Sequence, residues 1–179
     1  MGLDISAFKQ LTKIDCVFDA EGEPIHPETR EALDYDFRAH VNPDFPGRNG
    51  SIENLAIYRA GDSFGFRAGG YGGYNAWRNE LAKLAAYPAK PFDRYKTGDV
   101  QQRHDQGAWE ADSGPFWELI NFSDCEGVIG AEVAAKLAKD FADHQEKADA
   151  HTDLRFLESY NEWRKAFEMA ADNGAVDFH

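Results

Sequence analysis

Apolar positions alternate at the start of the chain and recur at intervals of three and four towards its end. Leu3, Ile5 and Ala7 set a period of two, which predicts a strand over Leu3 to Phe8. Residues 54–59, Asn-Leu-Ala-Ile-Tyr-Arg, form a second strand candidate. Gly61-Asp62 turns the chain into residues 63–67, where Phe64 and Phe66 share a face. Tyr74, Trp77, Leu81, Leu84 and Ala85 then mark one face of a helix that Pro88 and Pro91 end. Val133, Leu137, Phe141 and His144 predict a helix over 131–148. Phe156, Tyr160, Trp163, Phe167 and Ala170 predict another over 152–172. Asn173-Gly174 stops that helix, and Ala175 to Phe178 add a terminal strand.

The segments between carry weaker patterns. Val17-Phe18 precedes a turn built from Asp19, Gly22 and Pro24. Residues 19–50 are polar and hold Pro24, Pro27, Pro43 and Pro46, so they read as an irregular surface segment with one short helix around Glu28–Leu33. Residues 89–112 have no period and read as a long loop. Ser113-Gly114-Pro115 opens either a short helix through Phe122 or a buried strand, because Phe116, Trp117, Leu119, Ile120 and Phe122 satisfy both periods. Strands early and helices late predict an α+β fold: a small N-terminal β-sheet packed by about three to four helices, with a long irregular segment.

Composition bounds the function. One domain, residues 1–179, is expected, long enough to bury a core without a disulfide or metal staple. Apolar residues make up 42% of the chain, too many for a disordered protein. The formal charge is -13, from 32 acidic and 19 basic residues, which argues against binding duplex nucleic acid or an anionic membrane. No apolar run approaches a membrane span and no secretory leader is visible, so a cytoplasmic location is expected, with Cys16 and Cys125 as reduced thiols. The start, Met1-Gly2-Leu3-Asp4-Ile5-Ser6, fits the loose myristoylation pattern but reads better as the opening of the first strand. No motif calls for a metal or a cofactor: there is no C-x-x-C, no H-E-x-x-H and no calcium-loop spacing.

Two loops stand out. The first is Phe66-Arg67-Ala68-Gly69-Gly70-Tyr71-Gly72-Gly73-Tyr74-Asn75-Ala76-Trp77-Arg78, between a strand and a helix. Glycines let a ligand approach the backbone, and a helix start favours an anion. Arg67 and Arg78 could fork onto a phosphate or carboxylate, Tyr71 and Tyr74 could stack on a ring, and Gly69, Gly70 and Asn75 complete the expected contact set. The spacing matches neither the dinucleotide fingerprint nor the Walker A loop. The same residues also suit a tight connection, with the tyrosines on the core and the arginines paired to acids.

The second loop is Asn121-Phe122-Ser123-Asp124-Cys125-Glu126-Gly127-Val128-Ile129-Gly130, leading into the helix from Ala131. A hydroxyl, a thiol and two carboxylates within four positions could supply a nucleophile, a general base or hard-metal ligands. Asp124, Cys125 and Glu126 are the catalytic candidates, with His104 as a distant partner, and Ser123 is a ligand contact. A polar turn with Ser123 bonded to backbone N–H groups is the plainer alternative. Asp140, Asp143, His144, Glu146, Asp149, His151 and Asp153 read as a solvated face.

Several stretches together resemble a family found among bacteriophage, prophage and bacterial proteins. They are Met1-Gly2-Leu3-Asp4-Ile5, Val41-Asn42-Pro43-Asp44-Phe45-Pro46-Gly47-Arg48, residues 63–69, Gly73-Tyr74-Asn75-Ala76-Trp77-Arg78 and residues 118–130. The resemblance carries no residue roles. It implies an intracellular, mobile-element setting and a role in host interference. The leading expectation is an intracellular domain that binds, and could sequester, an anionic or nucleotide-like small molecule where the two loops converge. The alternatives are a hydrolase or transferase working through Ser123–Gly127, and an acidic inhibitor that binds a host protein.

Overall fold

The first and last strands of the chain lie side by side at the centre of one antiparallel sheet. The computed structural model describes residues 2–93 and 96–179. In chain order the elements are β1 (Leu3–Lys9), β2 (Thr12–Ile14), β3 (Val17–Phe18), β4 (Pro24–Ile25), β5 (Phe37–Arg38), β6 (Ile57–Arg59) and β7 (Asp62–Gly69). Then come α1 (Tyr71–Leu84), β8 (Lys90–Phe92), β9 (Gln101–Arg103), α2 (His104–Trp109), α3 (Trp117–Ile120), β10 (Gly127–Gly130), α4 (Ala131–Asp143), α5 (Gln145–Asp149), α6 (Leu154–Ala170) and β11 (Ala175–Phe178). The fold is α+β. Its main sheet has the order β10-β11-β1-β7, so two of its four strands come from the C-terminal third of the chain.

Alternation in β1 sends Leu3, Ile5 and Ala7 to the face covered by α4 and α6. Val176, Phe178 and Ile129 join them there. Trp163 of α6 stands at the middle of this core, stacked on Tyr74 and Trp77 of α1 at 5.6 Å each and meeting Phe66 edge-on at 5.1 Å. Such aromatic pairs add attraction beyond their buried area. Helix α6 begins at Asp153, whose carboxylate accepts from the Arg155 N–H at 2.9 Å. It is followed by Asn173 in the left-handed region, whose side-chain amide donates to the Leu11 carbonyl. The opposite face of the sheet is covered by a second cluster: Phe8, Val128 and Ala175 pack with Leu11, Phe37, Ala39, Ile52 and Tyr58. Its outer layer is the small sheet β2-β6-β5, drawn from residues before β7.

Several elements differ from the periodic reading, each for a tertiary or local polar reason. No helix forms over Glu28–Leu33. There the His26 ring accepts from the Glu28 and Thr29 N–H groups, Arg30 takes a left-handed φ of 63°, and Ala32 bridges back to Ile25. The strand expected over 54–59 shrinks to Ile57–Arg59, because Leu55 is also left-handed. The expected loop over 89–112 contains the β8–β9 pair and α2. The amide of Asn79, on α1, accepts from the His104 N–H and so caps α2 from outside its own sequence. The 131–148 helix breaks at His144 into α4 and α5. The run over 113–122 resolves into the one-turn helix α3. Residues 127–130, expected as loop, are a fully buried strand between α3 and α4. Among the described residues, no helix is long and apolar enough to cross a membrane.

Two stability tests follow from this packing. A methyl group on Gly130 would lie 2.1 Å from the Asn49 carbonyl oxygen, which is backbone and cannot swing away. Gly130→Ala is therefore expected to cost about 2 kcal/mol or more by urea denaturation, and an unchanged midpoint would contradict this close approach. Asp177 is paired with Ser6 and Val128 on the face of the second cluster. Burial pushes its carboxyl up to about 7, partly opposed by a hydrogen bond from the Phe178 N–H. A folded pKa above the unfolded one means that the unfolded chain releases this proton first. Asp177 therefore lowers stability progressively as pH rises from about 4 to about 7. Asp177→Asn should gain roughly 2 to 4 kcal/mol over the parent between pH 4 and pH 8, and a pH-independent difference would refute the assignment.

Candidate functional site

Helix α3 is one turn long, so its last carbonyls lack intrahelical partners. Two buried arginines and an indole supply them. Arg48 donates through Nε to the Glu118 carbonyl at 3.1 Å and through Nη2 to the Asn121 carbonyl at 3.2 Å, with its guanidinium over the Trp117 ring. Arg78 donates through Nη1 to the Ile120 and Phe122 carbonyls at 3.2 and 2.7 Å. The Trp109 indole N–H shares the Ile120 carbonyl at 3.1 Å. Burial pulls the Arg48 guanidinium below its usual value, and the nearby Glu118 carboxylate opposes that.

The turn after α3 is fixed from within and from α1. The Ser123 hydroxyl accepts from the Cys125 and Glu126 N–H groups at 3.3 and 3.1 Å. Asn75 donates from its side-chain amide to the Asp124 carboxylate at 2.9 Å and to the Tyr71 carbonyl at 2.8 Å, while its own oxygen accepts from Arg78. Arg78 Nη2 stands 4.0 Å from the same Asp124 oxygen. Behind this, Arg103 pairs with the buried Asp105 and donates to the Asn75 carbonyl at 2.9 Å. The last part of the first loop and residues 122–126 of the second are thereby held together.

Between them opens a basin of about 410 Å³. Asn75 and Arg78 line it from α1, and Ser123, Asp124, Cys125 and Glu126 line it from the turn. Asn42, Asp44 and Phe45 close another side, with Phe92, Trp109 and Phe122 as further apolar wall. Phe45 packs against Phe122 at 5.0 Å, and Asn42 donates to the Glu126 carbonyl at 3.1 Å, which binds this segment to the turn. Trp109 remains 42% exposed although its indole nitrogen is anchored.

The remaining predicted contacts lie elsewhere. Arg67 is exposed on β7, in register with Asp4, and does not line the basin. Gly69 has a φ of +101° at the strand end, Gly70 precedes α1, and Tyr71 is half-buried against the core; none of the three reaches the basin. Tyr74 cannot stack on a ligand, because it is fully buried beside Trp77 and Trp163. Its burial pushes the hydroxyl up to about 12, a shift that the neighbouring Arg78 opposes. His104 is turned to the Tyr87 carbonyl at 2.6 Å and lines no part of the basin. His40 stands with its Nε2 4.0 Å from the Glu126 carboxylate. Cys125 is exposed, with the Ser123 hydroxyl 3.4 Å from its sulfur.

Asn42, Asp44, Phe45, Phe92 and Trp109 were not expected at the site. The first three belong to a proline-containing polar segment without periodicity, and the last two to the supposed loop over 89–112. Arg48 was equally hidden, since nothing local to it announces that it will be buried under α3. Among the described residues, no three His, Cys, Asp or Glu side chains are grouped as metal ligands. No protein-family model, curated protein or solved structure matches the chain.

The two arginines of the first loop should therefore behave differently. Arg78→Ala strands the Phe122 carbonyl, leaves the Ile120 carbonyl with the Trp109 indole alone, and is expected to cost about 3 kcal/mol. Arg67→Ala should stay within about 0.5 kcal/mol of the parent. Equal losses in chemical denaturation would show that Arg78 is not the clamp described.

Proposed function

We propose that the protein is a small-ligand-binding domain and that its ligand occupies the basin between α1 and the Ser123–Glu126 turn. The observation that carries this reading is the direct bond from Asn75 to Asp124, which brings the two sequence-distant loops onto one concave surface. The basin has the composition of a ligand site: aromatic walls with a few fixed polar groups. Those groups are preorganised, since Ser123, Asn75 and Arg78 are held by bonds within the protein. Preorganisation lowers the entropy cost of binding.

The resemblance of its motifs to bacteriophage and prophage proteins supports a cytoplasmic setting, where such a domain would interfere with its host by sequestering a small molecule. A hydrolase or transferase working through Ser123–Gly127 would need Asp124 or Glu126 as its general base, since no histidine among the described residues lines the basin.

Thermal denaturation with a panel of small polar molecules of both charges tests the reading. A ligand at a hundred times its Kd should raise Tm by about 5 °C or more in the parent. The rise should be largely lost in Asp124→Ala. No binder in either charge class, or binders indifferent to Asp124→Ala, would overturn it.

A further inference from the structure

The charge that the basin accepts follows from which of its groups are already engaged. Among the described lining residues there is one cation, Arg78. It is 4% exposed, and its terminal nitrogens are bonded to the Ile120 and Phe122 carbonyls and the Asn75 amide oxygen. Its Nε has no hydrogen-bond partner but is buried, so the guanidinium offers an incoming anion almost no exposed surface. The carboxylates are the reverse case. Asp44 makes no ion pair among the described residues, and Glu126 has only His40, at 4.0 Å. Asp124 gives one oxygen to Asn75, with Arg78 Nη2 4.0 Å from that same oxygen, and has no hydrogen bond at the other among the described residues.

The walls point to the same charge. The Trp109 ring is fixed by its bond to the Ile120 carbonyl yet presents open surface beside the carboxylates. Phe92 already carries the Arg103 guanidinium 5.4 Å from its ring centroid. Fixed aromatic faces next to carboxylates attract organic cations through the ring quadrupole and through ion pairing. They also cover the methylene stem of such a group, which a hydrated metal ion would leave unmatched.

Resting on the reading of the basin as a ligand site, we infer that its ligand is an alkyl cation. A guanidinium fits best, because it is planar, stacks on aromatic faces and pairs with carboxylates two bonds at a time. The head group meets Asp124, Glu126 and Asp44, and the stem lies along the aromatic wall. The same chemistry is offered by a free alkylguanidine and by an arginine side chain displayed on a partner protein.

Calorimetric titration of the whole chain separates these cases. The probes are arginine amide, the capped peptide Gly-Gly-Arg-Gly-Gly, inorganic phosphate and AMP. Both guanidinium probes should bind, and binding should weaken as salt is raised. Asp124→Asn combined with Glu126→Gln should weaken it by about tenfold or more, with circular dichroism and Tm confirming that the variant is folded. A peptide bound about tenfold more tightly than arginine amide identifies a displayed side chain, and equal affinities identify a free ligand. Binding of phosphate or AMP without the cations overturns the inference and leaves the basin a ligand site. Cation binding that survives the double substitution also overturns it, as general attraction to an acidic surface. Absence of binding by all four probes overturns it as well, and the Tm panel then decides whether the basin itself is a ligand site.

Discussion

Residues 118–122 present a row of carbonyls that a one-turn helix cannot satisfy by itself, and two buried guanidiniums satisfy them. A buried charge needs strong acceptors, and unpaired carbonyls need donors, so each requirement meets the other. Arg48 comes from the polar segment before β6 and Arg78 from α1. Through them α3 becomes the point where three distant parts of the chain are joined. The turn that follows inherits its position, and with it the placement of Asp124, Cys125 and Glu126.

This arrangement reverses the electrostatic sense of the first loop. An arginine beside a glycine-rich helix start would ordinarily be read as an anion receptor. Here the guanidinium is turned inward to backbone oxygens, and Tyr71 at the helix start does not line the basin. What remains facing the basin is mostly carboxylate and aromatic surface. The overall charge of -13 adds to that field.

The sheet and the core serve as the frame. Pairing β1 with β11 closes the chain on itself, and Trp163 anchors α6 against both the sheet and α1. Because α1 is fixed by Tyr74 and Trp77 on its buried side, Asn75 and Arg78 project from the same helix in a fixed register. A tyrosine that could have met a ligand was used to hold the helix that does.

The sequence by itself determined the α+β class, the first and last strands, and helices α1 and α6, because each is written in the period of its own apolar residues. It also drew attention to Asn75, Arg78 and Ser123–Glu126, whose local composition is unusual. Tertiary structure alone decided the rest. Residues 127–130 are too short and too glycine-rich to announce a strand, and they become one only by pairing with β11. The cap of α2 belongs to Asn79, from another helix. Arg67 and Arg78 look alike in sequence, and only packing buries one and leaves the other in solvent. The sign of a site depends on where charges point and what already engages them, and neither quantity is carried by local sequence.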